Sequence, residues 1–324
     1  MKALLSTIVG PPSSLVIADL PEPAPGPGEV VVAVKAAALN FFDTLIIEDR
    51  YQFRPQRPFS PSAECAGTIH ALGEGVTGWA VGDRVALWAG WGCAREKVVA
   101  KASDLLRIPS VLSDAQAAGL FVTYGTGLHA LVQRGALEPG ETLVVLGAAG
   151  GTGLAAVELG VLLGARVIAC ASSDEKLELA RAHGAQELLN YETENLRDGL
   201  RRLTGKTGVD VLYDPVGGDL AELALRSMGW GGRYLVVGFA GGAIPKLPLN
   251  LLLLKGCDLR GVFWGDFVAR EPEANHANME RLLAWAAEGK LRAHVHGSYR
   301  LDQAEEAFAL IAGRKAQGKV ILTP

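Results

Sequence analysis

Aromatic side chains make up only 6% of this 324-residue chain, and cysteine is scarcer still. Cys65, Cys93, Cys170 and Cys257 are widely scattered with no C-x-x-C pair, which excludes a disulfide framework and leaves free thiols in a reducing compartment as the expectation. Charge of one sign is also lacking: the net charge is -4 and no Lys/Arg cluster interrupts the sequence, so nothing suggests a nucleic-acid surface. The start, Met1-Lys2-Ala3-Leu4-Leu5-Ser6, carries no sustained apolar segment, hence no signal peptide and an expected cytoplasmic location. The one membrane-like run, Thr142 to Ala165, is broken by glycines and by Glu158 and fits a buried βα unit better than a membrane span. His294-x-His296 is the sole histidine pair at ligand spacing, and without a third ligand nearby it reads as surface or interface. What is abundant is glycine, 40 residues, within a hydrophobic fraction of 49%. That balance fits an α/β enzyme built from small aliphatic side chains, and the length favours two domains.

The glycines concentrate where they carry most information. Glu141-Thr142-Leu143-Val144-Val145-Leu146 reads as a buried strand, Gly147-Ala148-Ala149-Gly150-Gly151-Thr152-Gly153 as a tight turn, and Leu154 onward as a helix. In this arrangement backbone amides and a helix N-terminus hold a dinucleotide pyrophosphate. Ala148, Gly150 and Gly153 keep the fingerprint spacing with alanine in the first place. A second apolar run, Ala165 to Ala171, leads to a helix that stops at Gly184, with Ser172 and Glu175 as a capping-box pair. In a dinucleotide fold the residue ending this second strand faces the adenosine ribose, where an Asp or Glu would repel a 2'-phosphate. Here it is Ala171, and Ser172, Ser173 and Lys176 can donate to phosphate, so NADPH is expected over NADH.

Ahead of this unit the texture differs. Short β-rich runs (Leu15 to Ile17, Gly28 to Lys35, Asp83 to Leu87) alternate with turn clusters such as Pro21-Glu22-Pro23-Ala24-Pro25-Gly26-Pro27, which predicts a small barrel-like β domain. Val209 to Asp214 and Gly232 to Gly238 are further strands at crossover spacing. Beyond Gly256 come a run at Leu259 to Trp264, a helix Met279 to Glu288, a strand near Ala293 to Tyr299, a helix Leu301 to Ala312 and a closing strand Lys319 to Leu322.

Several segments carry a more selective pattern: Ala38-Leu39-Asn40-Phe41-Phe42-Asp43-Thr44, Glu64-Cys65-Ala66-Gly67, Gly82-Asp83-Arg84-Val85, the Gly147 to Gly153 loop, Asp214-Pro215-Val216-Gly217-Gly218 and Gly313 to Val320. Together they resemble the medium-chain dehydrogenase/reductase superfamily, in its zinc-free quinone oxidoreductase branch that includes zeta-crystallin. The resemblance implies an α/β chain with a GroES-like, β-barrel-type catalytic domain (1–118 and 257–324) and a Rossmann, doubly wound parallel-sheet domain binding NADPH (119–256). It further implies a homodimer and hydride transfer from NADPH to a quinone or related conjugated carbonyl. Alternatives sharing the scaffold are a 2-enoyl thioester or alkenal reductase, for which Arg50, Arg54 and Arg57 would form a basic entrance, and a non-catalytic NADPH-binding protein.

By the same resemblance the catalytic candidates are Asn40, close to nicotinamide, Asp43, which orients its loop, and Tyr51, lining the substrate cleft; a second tyrosine of many relatives is replaced by Leu45. Gly150, Gly151, Thr152 and Gly153 correspond to the pyrophosphate turn, and Ser172, Lys176 and Tyr191 to the 2'-phosphate and adenosine site. Thr126 lies near nicotinamide, Val216, Gly238, Phe239, Phe263 and Trp264 form the cleft walls, and Lys319 reaches toward the coenzyme. No metal is implied: the positions that hold catalytic zinc in related alcohol dehydrogenases correspond to Asn40, Ala63 and the vicinity of Val122.

Overall fold

The computed structural model describes residues 1–324, which form two compact units, Met1–Val122 with Glu280–Pro324, and Thr123–Met279. In the first unit the organising element is the eleven-residue strand Glu29–Leu39, whose Val30-Val31-Val32-Ala33-Val34 core suits a pleated surface buried on both sides. It pairs along its length with Glu64–Leu72, near its start with Lys97–Lys101 and near its end with Lys319–Thr323. Register shifts at Val31/Val32 and Val34/Ala36 bend it, so that the sheet curls around a core containing Val32, Leu39, Ile69, Leu87, Phe308 and Leu322. The sheet runs in the order Val295–Arg300, Lys319–Thr323, Glu29–Leu39, Glu64–Leu72, Arg84–Trp88, Leu106–Arg107.

The second unit is a six-stranded parallel sheet in the order Glu187–Asn190, Arg166–Ala171, Thr142–Leu146, Val209–Asp214, Met228–Val236, Asp258–Gly261. Numbered along the chain this is 3-2-1-4-5-6, the order of a doubly wound dinucleotide fold, with the crossover reversal beside Thr142–Leu146. All five residues of that strand are buried, as a central parallel strand requires. Glu158 in the following helix Gly151–Leu162 is buried as well, and it is satisfied there: Tyr124 Oη donates to it at 2.7 Å and His183 Nδ1 lies 2.6 Å from its other oxygen. No helix is long and apolar enough to cross a membrane.

Three expectations shift. The segment after Gly256, assigned from sequence to the barrel unit, continues the parallel sheet instead: Asp258–Gly261 pairs with Arg233 to Val236, and the second unit extends to Met279. The helix after Ala171 spans Asp174–Ala182 and is capped by Ser173, whose hydroxyl accepts from Lys176 N, rather than by Ser172. The helix expected from Met279 begins at Pro272, a residue that suits a first turn because its missing N–H would be unpaired there in any case.

Candidate functional site

In the second unit the chain leaves Thr142–Leu146 through Gly147, at φ +58, and enters the helix at Gly150, whose backbone is still extended. Gly151, Thr152 and Gly153 form the first turn of a twelve-residue helix, so their amides have no intrahelical acceptor and offer an anion the favourable end of the dipole. The helix can lie this close to the strand because Gly153 has no side chain: a Cβ there would fall 2.2 Å from Gly147 O. Val216 packs over the same turn, 2.9 Å from where a Gly147 Cβ would be. Its loop is fixed by Asp214, whose Oδ1 accepts from the amides of Val216 and Gly217 at 2.8 Å each and whose Oδ2 accepts from Tyr234 Oη at 2.5 Å. Burial raises the Asp214 carboxyl pKa against these bonds. Gly238 donates to Asp214 O, and Phe239 rests against Gly217, so Val216, Gly238 and Phe239 gather at the carboxyl ends of neighbouring strands.

At the end of Arg166–Ala171, Lys176 Nζ donates to Ser172 Oγ at 3.0 Å and Tyr191 N to Ala171 O, which brings Ala171, Ser172, Lys176 and Tyr191 together without a carboxylate at the strand end. Asp174, the nearby acid that could have opposed a phosphate, accepts from Asn190 Nδ2 at 2.8 Å. Thr126 is buried on the helix Phe121–Leu128. Trp264 packs its indole against Gly125 of that helix and donates Nε1–H to Asn275 at 3.1 Å, so it acts first as core, while Phe263 before it is exposed.

In the first unit the strand end Leu39 and the strand starts Glu64 and Lys319 converge on a buried ionic cluster. Lys319, 3% exposed, spends its three N–H donors on Leu39 O (3.1 Å), Asn40 Oδ1 (2.6 Å) and Glu64 Oε1 (2.8 Å). Lys319 therefore has none left for a coenzyme, and the expectation of a reaching lysine is corrected to one that fixes Asn40. Glu64, fully buried, also accepts from Asn40 Nδ2 at 2.9 Å and from Val122 N at 2.8 Å. The cluster defines the amide: oxygen toward the ammonium, nitrogen toward the carboxylate, with one of the two amide hydrogens used. Asp43 is occupied in the same way, its oxygens accepting from Asn40 N (2.8 Å) and Ser62 N (3.0 Å). Burial pushes its pKa up to about 7 against those bonds and the Lys319 charge. It holds the turn around Asn40 rather than a reacting proton.

Tyr51 stacks on Phe42 with ring centroids 5.3 Å apart, and burial followed by the Asp43 charge pushes its hydroxyl up to about 12. It stays protonated at neutral pH, a hydrogen-bond donor but a reluctant acid. Arg57 is tied to Asp49, Ile47 O and Ser6 Oγ, and Arg50 to Glu48, which takes two of the three arginines out of a basic entrance. Glu64 is paired with the Lys319 ammonium, and the structure gathers no group of three His, Cys, Asp or Glu side chains. Sequence reasoning quoted Glu64 and Asp214 within motifs without giving them roles. The signal it could have used is a carboxylate inside an otherwise apolar strand, which folds only with a partner.

Two family models match the chain, the alcohol dehydrogenase GroES-like domain over residues 26–110 and the zinc-binding dehydrogenase over 151–287. The quinone oxidoreductase-like protein 2 of Bos taurus is 39% identical over 95% of this chain and 89% of its own length. The chain belongs to the medium-chain dehydrogenase/reductase family of oxidoreductases. Within that family it is also 33% identical to a quinone oxidoreductase of Pseudomonas aeruginosa, covering 97% of both chains. The crystal structure of the Escherichia coli quinone oxidoreductase complexed with NADPH superposes with a TM-score of 0.92 over 100% of each chain at 27% identity. The GroES-like and Rossmann-type folds expected from sequence are those observed.

Proposed function

We propose that this medium-chain reductase transfers hydride from NADPH to a quinone or related conjugated carbonyl without zinc. The observation that carries the reading is the Asn40 amide, locked by Lys319 and Glu64 so that Nδ2 keeps one N–H to donate to an acceptor oxygen. When bound, NADPH supplies a hydride from nicotinamide C4. The amides of Gly151, Thr152 and Gly153 would hold its pyrophosphate, and Ser172, Lys176 and Tyr191 its adenosine end with the 2'-phosphate. The second Asn40 N–H would donate to the acceptor oxygen and stabilise negative charge there. Tyr51 hydrogen-bonds or lines the cleft, and its high pKa leaves water to deliver the proton. The locations of Thr126, Val216, Gly238, Phe239 and Phe263 suit cleft walls. With all four cysteines buried and unpaired, the cytoplasm is the proposed compartment.

Steady-state NADPH oxidation against p-quinones, 2-alkenals and 2-enoyl-CoA esters tests the reading. Turnover should be fastest on a quinone or simple enone, with NADPH preferred over NADH and the preference reduced at least tenfold in Ala171→Asp. Faster turnover on the CoA esters, or binding of NADPH without turnover on any acceptor, would remove it.

A homodimer is proposed on the edge of the parallel sheet. Asp258–Gly261 ends that sheet, and Trp230, Leu249, Leu253 and Leu254 stand exposed in the same unit, an apolar set that monomers seldom leave in water. Light scattering should give twice the chain mass, and Leu253→Glu with Leu254→Glu should halve it; a monomer mass for the unaltered chain rejects the proposal.

A further inference from the structure

The sequence has no Lys/Arg cluster, yet folding assembles one. At the edge of the parallel sheet opposite the glycine turn, where Val209–Asp214 and Met228–Val236 begin, a cavity of about 320 Å³ is lined by Arg197, Arg201, Lys206, Arg226 and Lys255 and by no acidic side chain. Arg197 and Arg201 come from the helix Leu196–Thr204, Lys206 from the turn after it, and Arg226 and Lys255 from the ends of Leu220–Arg226 and Asn250–Lys255.

The plain reading of such residues is that they offset helix C-termini, and charge counting decides whether that suffices. Arg226 is answered by Glu222 at 2.7 Å, and Lys255 donates to Met228 O at 3.0 Å, which leaves its charge in place. Three helix ends contribute about half a negative charge each at most, and less from helices this short. Five cations against one carboxylate and these dipoles leave a surplus of roughly two to three positive charges in one cavity. Arg197 and Arg201 stand one helical turn apart, on the same face, so their guanidinium groups can close on one ligand from the same side. Gly205, in a positive-φ conformation, lines the same cavity with open space where a side chain would stand, so nothing blocks approach to its backbone. The lining hydroxyls are spent inward, Thr204 on Leu200 O and Ser227 on Leu223 O, so recognition falls to the cations.

We infer that this cavity is a second anion site, for a small multiply charged phosphate compound of the pyrophosphate class. Its volume lies at the low end of the roughly 300–1,000 Å³ of small-molecule sites, enough for a diphosphate or a sugar phosphate but not for a dinucleotide. The site is separate from the proposed coenzyme phosphates, which belong to the carboxyl ends of the strands.

Calorimetric titration of sodium pyrophosphate into the full-length protein at low salt, with saturating NADPH to keep pyrophosphate off the glycine turn, tests this. One saturable site per chain is expected, with affinity falling as salt is added. Arg201→Ala combined with Lys206→Ala should weaken binding at least about tenfold, equivalent to ~1.4 kcal/mol. Both side chains are exposed, so NADPH turnover and melting temperature should stay as in the unaltered chain, and Arg197→Ala with Arg201→Ala provides a second, independent disruption. No saturable heat, or a loss smaller than tenfold in both variants, overturns the inference.

Discussion

Lys319→Met should destabilise the protein by about 3–5 kcal/mol, because it strands a carboxylate in the first unit's interior. Glu64 is fully buried and would keep its bonds from Asn40 Nδ2 and Val122 N, but both donors are neutral and its only cation would be gone. Glu64→Gln added to Lys319→Met removes the orphaned charge and should return most of the loss, since a buried pair replaced as a pair costs far less than one broken. Chemical denaturation of the two variants reads the difference directly. Equal losses in both would show that the lysine stem's packing, not the ion pair, carries the stability. The same variant separates two roles for Lys319. With every ammonium donor already used within its own unit, removing it should leave NADPH affinity within about twofold while turnover falls, because Asn40 Oδ1 then loses its ammonium partner and the amide is held by Glu64 alone. A loss confined to NADPH affinity would instead restore the direct coenzyme contact first read from the sequence.

Local periodicity marks Lys319 as the first residue of a closing strand, and a lysine near a chain end ordinarily points to water. Its actual partners, Asn40 and Glu64, lie 279 and 255 residues away in sequence, and no short-range pattern encodes that distance. The basic cavity was hidden for the same reason, its cations spread from Arg197 to Lys255 and brought together only by three helix ends. The serine at the start of Asp174–Ala182 was misassigned because both Ser172 and Ser173 stand three residues before a residue able to complete a cap, and the choice depends on backbone geometry that composition does not show. By contrast, the strand Val209–Asp214 was legible to the residue, and the strand, turn and helix at Thr142 to Leu162 were legible in kind and order, with the helix starting three residues earlier at Gly151, since each is written in consecutive side chains: an apolar run, then residues small enough for the turn. The domain boundary near Gly256 failed at the intermediate scale. Leu259 to Trp264 is β-rich in composition, and composition does not say which of two sheets a strand will join.

Gly153→Ala is expected to abolish NADPH binding, weakening it a hundredfold or more, and to lower stability by about 1–3 kcal/mol. The added methyl would meet Gly147 O at 2.2 Å, Gly147 C at 2.8 Å and Ala148 Cα at 3.0 Å, all backbone atoms with no rotamer to yield. The helix Gly151–Leu162 must then lift from its strand. Buried contacts along its inner face, including Leu154, Val157 and the carboxylate of Glu158 with its Tyr124 and His183 partners, resist that movement, so strain is shared between the helix and the turn. Either outcome moves the Gly151, Thr152 and Gly153 amides out of the convergent arrangement that an anion requires. Gly150→Ala is the matched comparison. Its backbone, φ -72 and ψ 170, is open to any residue, and its Cβ would sit 3.4 Å from Gly147 O, an ordinary contact, so folding should be unaffected. Fluorescence titration with NADPH alongside thermal melting gives both quantities for each variant. If Gly153→Ala binds NADPH as the unaltered chain does, the helix N-terminus is not what holds the pyrophosphate, and the coenzyme assignment built on this turn is wrong.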